Sequence, residues 1–351
     1  MERNPLEFNA LTIAFLLIAI VLLFEFSNGF NDCANMVVTP VITGALEPWR
    51  ALLLIAVFEF VGAWFLGTAV AQTLGKGIVN PKNITVVVIF AAVGGAIIWN
   101  LGGWYFGMPS SSSHALIGGL LGAVAIGSGP EWIHWTKVGE VLAILILTPL
   151  VGLIAGRYLT QRANILFSHF KPSRANRVLK KLQILTSITL ALSHGSNDAQ
   201  KGMGMISLAL LLLYAVSPEL MGIIYQPQSQ NDFYVPKWVV LVCSLALALG
   251  VSSGGWRIMK TLGTKLYKVR PVHGFSAQAC SSLIIYLSSL FGFPVSTTQI
   301  VSSSIMGAGS AHSLGSVRWR VAWQIFFTWI MTLPGSAAIS ALLYALLKKW
   351  V

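Results

Sequence analysis

Long apolar stretches dominate the chain: Leu11–Phe24, Ala51–Val70, Val86–Ile98, Val141–Ile154, Met205–Val216, Val239–Leu249 and Val321–Leu347. Ala51–Val70 and Val321–Leu347 reach the roughly 20 residues that cross a ~30 Å hydrocarbon core as a helix. The shorter stretches are extended or interrupted by Gly, Pro and hydroxyl residues. In lipid every backbone polar group must find a partner within the protein, so such interruptions predict broken or re-entrant helices around a polar interior. The pattern predicts an all-α polytopic membrane protein with about ten to twelve membrane segments. The segments around Pro109 and Pro294 can span or re-enter, which leaves the crossing parity open.

Composition sharpens this picture. Of 351 residues, 55% are apolar and only 10% charged, where a soluble domain carries about 25% charged residues. The formal charge of +12 would suit nucleic acid, but its distribution does not. Arg157, Arg162, Lys171, Arg174, Arg177, Lys180 and Lys181 fall in one connection without an acidic residue. A second basic connection holds Arg257, Lys260, Lys265, Lys268 and Arg270, whereas Ser217–Lys237 carries Glu219 and Asp232 against one lysine. Basic connections stay in the cytoplasm, so the first two face inward and the third outward. Cys33, Cys243 and Cys280 lie far apart and form no metal or disulfide framework.

An internal repeat runs through the chain. Gly29-Phe-Asn-Asp32 matches Gly195-Ser-Asn-Asp198 at an offset of 166 residues, Thr73-Leu-Gly75 matches Thr261-Leu-Gly263 at 188, and Pro109-Ser-Ser-Ser-Ser113 matches Pro294-Val-Ser-Thr-Thr298 at 185. The matches keep their order, and the polar Ser217–Lys237 segment accounts for the jump in offset. The expected organisation is a first transmembrane repeat over 1–156, a basic cytoplasmic connection over 157–183, and a second repeat over 184–351. Such repeats typify secondary transporters, with the site between the halves near the bilayer midplane.

The repeated motifs carry the candidate chemistry. A charge inside a membrane helix costs about 2.5–3.5 kcal/mol on translocon scales, yet Glu25, Asp32, Glu59 and Asp198 sit in or beside apolar stretches. Asp32 and Asp198 occupy equivalent positions, each after an Asn and near a Gly that permits a backbone break. Carboxylate, amide and unwound carbonyl oxygens are hard ligands suited to Na⁺, and a carboxylate there can instead take a proton. Asn35, Glu59 and Gln200 extend the candidate cation ligands. A buried polar pair tying helices together is the structural alternative. After Pro109 and Pro294, Ser111, Ser112 and Ser113 pair with Ser296, Thr297 and Thr298. This order predicts two helices starting inside the membrane, whose free N–H groups, dipoles and hydroxyls suit an anion. Simple capping and small-residue packing is the competing reading, since Gly118 and Gly122 make a close-packing pair. Asn31 and Asn197 join the anion candidates as acceptors for a protonated oxyanion. Lys201 pairs with Asp198 or faces the anion, and His114 and His194 flank the clusters. No nucleotide-binding loop, Cys/His metal set or nucleophile elbow is present, so no enzyme and no cofactor is expected.

These residues resemble the inorganic phosphate transporter (PiT) family. Asn28-Gly-Phe-Asn-Asp-Cys-Ala-Asn35 and His194-Gly-Ser-Asn-Asp-Ala-Gln-Lys201 resemble its two Asn-Asp signatures, and Pro109-Ser-Ser-Ser-Ser-His114 and Pro294-Val-Ser-Thr-Thr-Gln299 its two Ser/Thr hairpins. The resemblance implies a dimeric, multi-pass cell-membrane symporter of phosphate and Na⁺ (or H⁺), with inverted repeats and re-entrant hairpins, working by alternating access. Three positions depart from the pattern. Phe30 stands where many members have a small residue, Gln299 where a His is common, and Gln278 where many have a Glu that bears on the number of coupled cations. A sulfate or other oxyanion permease of the same fold, or a passive anion channel, is the alternative.

Overall fold

The computed structural model describes residues 5–80, 84–227 and 233–349; Asp232, from the acidic segment, lies outside them. The chain runs α1 (Pro5–Ile42), α2 (Pro48–Phe65), α3 (Ala69–Gln72), α4 (Val86–Phe106), α5 (Ser112–Gly127), α6 (Trp135–Phe167), α7 (Pro172–Val216), α8 (Pro218–Met221), α9 (Lys237–Ser253), α10 (Trp256–Lys260), α11 (Pro271–Leu290), α12 (Thr297–Gly309) and α13 (Trp319–Leu347). The described residues contain no named strand. Pro48, Pro172 and Pro271 stand at first helical positions, where the missing N–H would have no partner anyway.

The two halves share one packing plan. Apart from α8, the order α1, α2, α3, α4, α5, α6 is repeated as α7, α9, α10, α11, α12, α13. α1 packs on α9 as α7 packs on α2, and α5 packs on α13 as α12 packs on α6. Even the short Thr-Leu-Gly match has a structural meaning: Thr73–Gly77 and Thr261–Lys265 are both π-helical turns directly following α3 and α10. The basic connection is carried mostly on the ends of α6 and α7, which run to Phe167 and from Pro172.

Both hairpins turn by the same device. α4 ends at Gly107 (φ +66°), and its equivalent Gly292 (φ +71°) follows the end of α11. Met108 N–H donates to Gly103 carbonyl oxygen and Phe293 N–H to Ser288 carbonyl oxygen, each at 2.9 Å. This six-residue closure needs a left-handed residue that glycine adopts without strain. Pro109 and Pro294 follow in the extended link, and α5 and α12 then begin.

The predicted breaks at Gly29 and Gly195 do not occur: α1 and α7 pass through both Asn-Asp motifs as continuous helices of 38 and 45 residues. These glycines serve close approach instead. A Cβ on Gly29 would collide with the Leu247 carbonyl oxygen, and one on Gly195 with that of Glu59. The broken helices lie elsewhere, notably at the 55° bend between α9 and α10.

Among the described residues, six helices (α1, α2, α4, α6, α7 and α13) are long and apolar enough to cross a membrane, and α9 with α10 makes a seventh if the bent pair is one span. α5, at 16 residues, is too short alone, and α11 and α12 carry many hydroxyl residues, so hydropathy undercounts the helices of the bundle. The most apolar window of α7 is 78% buried and that of α13 only 22%, which puts α7 at the centre and α13 at the lipid-facing edge. Exposed Phe15, Phe65, Ile146, Ile154, Trp323 and Phe327 suit a hydrocarbon surround. The protein is a multi-pass membrane protein.

Candidate functional site

The polar interior forms where the middles of α1 and α7 meet the first turns of α5 and α12. In the continuous helix α1, Asn28, Asp32 and Asn35 recur at i, i+4 and i+7, so they share a face; His194, Asp198 and Lys201 do the same in α7. Ser111 and Ser296 are the N-caps of α5 and α12, accepting from His114 N–H at 3.2 Å and Gln299 N–H at 3.3 Å. This leaves Ser112, Ser113, Thr297 and Thr298 on the first turns. The two helix starts touch: Ser113 donates to the Val295 carbonyl at 2.7 Å, and Gln299 Nε2 lies 3.3 Å from His114 Nδ1.

A chain of hydrogen bonds joins the two aspartates. Thr298 Oγ1 donates to Asp32 Oδ1 at 2.6 Å, Asn35 Nδ2 donates to the same oxygen at 3.0 Å, and Ser112 Oγ donates to Asp32 Oδ2 at 3.4 Å. Lys201 Nζ donates to Ser112 Oγ at 2.8 Å and pairs with Asp198 Oδ2 at 2.8 Å. Asp198 Oδ2 also accepts from Thr297 and Asn28, both at 3.3 Å. His194 holds Glu59 through Nδ1 at 2.5 Å, and its Nε2 lies 3.5 Å from Asp198 and 3.9 Å from Asp32. One atom each of Asp32, His194 and Asp198 falls within 4.8 Å of the others.

Among the described residues, the carboxylates of Glu25, Asp32, Glu59 and Asp198 are buried with a single lysine, Lys201. Unpaired buried charge is strongly destabilising, so this interior is suited to taking up cations or protons. Several buried oxygens have no hydrogen-bond donor: Asn28 Oδ1, Asn31 Oδ1, Asn35 Oδ1, Asn197 Oδ1, Asp198 Oδ1 and Gln299 Oε1. The two helix starts aim their partial positive ends at the same region.

The candidates divide on this geometry. Asp32, Asp198, Asn35, Ser112, Thr297 and Thr298 come together, and Glu59 reaches them through His194. Asn31 Nδ2 instead donates to the Asn100 carbonyl of α4 at 3.3 Å, and Asn197 Nδ2 to Ser289 Oγ at 3.1 Å and the Phe293 carbonyl at 3.2 Å. Their amide donors thus tie each Asn-Asp helix to the hairpin of its own half. Gln200 is turned away from the cluster: its Oε1 accepts from Val70 N–H at 2.7 Å and Ala71 N–H at 3.1 Å, capping α3. Asn28 was not among the candidates, and His194 and Lys201 had no settled role; all three lie at the aspartates. Behind His114 and Gln299, an apolar cavity of about 660 Å³ opens between α6 and α13. Leu145, Pro149, Trp323, Phe326 and Ile330 line it, a chemistry for acyl chains and not for an oxyanion.

Known proteins resemble this chain over nearly all its length. The model of the phosphate transporter family matches residues 28–170 and 164–340. A probable low-affinity inorganic phosphate transporter of Rhizobium meliloti is 40% identical over 328 residues, covering 93% of this chain and 94% of the relative. One of Bacillus subtilis with the same description is 40% identical over 340 residues, covering 96% and 98%. A solved structure described as "the sodium-dependent phosphate transporter" superposes with a TM-score of 0.83 at 24% identity, covering 97% of this chain and 100% of that one.

Proposed function

The chain belongs to the phosphate transporter family, and from that premise we propose that it carries inorganic phosphate across the membrane in symport with Na⁺ or H⁺, by alternating access between two inverted halves. The observation that carries this reading is the hydrogen-bonded chain from Asp32 through Ser112 and Lys201 to Asp198, built from both halves.

The geometry suggests how cation and anion help one another. The hydroxyls of Ser112, Thr297 and Thr298 donate to the two aspartates. A cation at Asp32 competes for the same oxygen lone pairs and releases the hydroxyls of Ser112 and Thr298. The freed O–H groups, with the N–H groups of the first turns of α5 and α12, then converge on a phosphate between the helix starts. The cation therefore binds first. The solved structure of similar fold is described as sodium-dependent, which supports Na⁺ as the coupling ion.

The donor-free oxygens of Asn31, Asn197, Asp198 and Gln299 favour phosphate over sulfate. Phosphate at neutral pH carries protons that need acceptors, and sulfate carries none. The test is uptake of labelled phosphate into proteoliposomes under separately imposed Na⁺ and pH gradients. Accumulation against the phosphate gradient, driven by one of them, is expected. Flux that only dissipates the phosphate gradient under both conditions would make the protein a channel.

A further inference from the structure

The two halves differ in chemistry at the position that matters most for cation number. At the repeat offset of 166, Asn28 corresponds to His194, Asp32 to Asp198 and Asn35 to Lys201. The contacts follow the same plan. Ser112 donates to Asp32 at 3.4 Å as Thr297 donates to Asp198 at 3.3 Å. Three residues after Asp32, Asn35 places its amide on the carboxylate at 3.0 Å; three residues after Asp198, Lys201 places its ammonium there at 2.8 Å.

These two neighbours act oppositely toward a free cation. Asn35 Oδ1 is buried and has no hydrogen-bond donor, so it adds a ligand oxygen beside Asp32. Lys201 has donors only. Its Nζ sits 2.8 Å from both Ser112 Oγ and Asp198 Oδ2, holding two oxygens of the kind a monovalent cation would take. We propose that the Lys201 ammonium is a tethered cation that replaces an exchangeable one in the second half, leaving Asp32 with Asn35 as the place where the coupling cation binds and leaves.

The other carboxylates near Lys201 are held by partners of their own. Glu59 is engaged through Oε1 by His194 at 2.5 Å, and Glu25 Oε1 accepts the Gly202 N–H at 2.5 Å, each keeping Oε2 without a donor. Leu247, opposite Glu59 in the repeat, offers the first half no matching carboxylate. Lys201 is fully buried, so its charge cannot be lost to solvent during the cycle without leaving Asp198 unpaired.

This inference rests on the cation-coupled reading, and one experiment separates the two. The full chain is reconstituted in liposomes with membrane potential clamped at zero and the non-driving ion equal on both sides. The phosphate gradient that stops net flux is then measured against a tenfold gradient of the driving cation. One coupled cation sustains about a tenfold phosphate gradient and two about a hundredfold. The unmodified protein is expected to give about tenfold, and Lys201→Asn, which gives the second half the chemistry of the first, about a hundredfold. A hundredfold gradient in the unmodified protein overturns the tether whatever the variant does. So does an unchanged tenfold gradient in a Lys201→Asn variant that transports. If the variant is silent, the unmodified value of tenfold or a hundredfold decides. No cation-driven gradient in the unmodified protein overturns the coupling reading itself.

Discussion

Thr298→Val tests how cation and phosphate are linked. Thr298 is at the second helical position of α12, one residue past the Ser296-capped first position, so the change keeps shape and removes no cap. It deletes the hydroxyl that makes the shortest bond to Asp32, 2.6 Å. A hydrogen bond to a charged group contributes about 1.5–3 kcal/mol. With no cation bound, phosphate must take this hydroxyl from Asp32, so one such bond is exchanged for another and the hydroxyl adds little net affinity. With a cation on Asp32 the hydroxyl is released, and its bond to phosphate counts almost in full. The valine variant should therefore lose about ten- to a hundredfold in phosphate affinity at saturating cation. At limiting cation the loss should be only severalfold. Equilibrium binding of labelled phosphate to purified protein at the two cation concentrations measures this, with monodispersity as the folding control. An equal loss at both concentrations would show that the hydroxyl does not transmit the cation's effect. No loss at either would remove Thr298 from the anion site.

Further outcomes follow from the same contacts. Asp32→Asn and Asp198→Asn should both abolish coupled phosphate uptake. Asp198→Asn should also lower stability by about 3–5 kcal/mol because it strands buried Lys201, a difference visible in thermal unfolding of the two purified variants. Ser111→Ala and Ser296→Ala remove helix caps and should each cost about 1 kcal/mol of stability, read as a lower unfolding temperature in the same assay. Excess arsenate, which carries protons as phosphate does, should suppress labelled phosphate uptake, and excess sulfate should not; the reverse order would assign the site to sulfate.

The duplicated halves, the hydroxyl-rich helix starts and the aspartate pair were legible because each is a local pattern that occurs twice. The mistakes share one cause. A glycine in an apolar stretch signals either a broken helix or a close helix contact, and only what lies opposite decides. Here Leu247 and Glu59 present backbone carbonyls to Gly29 and Gly195, so the helices stay whole. Reading a break there discarded the helical period. At 100° per residue, Gln200 is 200° round the helix from Asp198 and cannot share its site, whereas His194 and Lys201, four before and three after, must. The same period places Asn28 and Asn35 with Asp32. The periods of a continuous α1 and a continuous α7 would together have found all three unassigned residues. Nothing in the sequence could reveal the bond from Ser112 to Lys201, which depends on how a hairpin from one half meets a helix of the other.

The proposed coupling requires that each half-loaded state be costly, and the charge arrangement would supply that cost on both sides. Phosphate alone would enter an interior already holding Glu25, Asp32, Glu59 and Asp198 against one buried lysine. Each uncompensated buried ion costs several kcal/mol even after relaxation. A cation alone would lie beside two helix starts whose partial charges of roughly +0.5 each repel it, with the Lys201 ammonium close by. Only with both ligands present do the carboxylates meet positive charge while the helix starts meet negative charge. In the proposed mechanism the fully loaded site and an empty site neutralised by protons are then the two forms carried across at low cost. Phosphate could still leak alone if the helix starts bound it strongly without help from Asp32. In the proposed mechanism Asp32 prevents this by occupying the hydroxyls of Ser112 and Thr298 until a cation relieves them. On that proposal the same side chains that hold the cation thus withhold the anion's ligands, and strict coupling would need no separate gate between the two sites.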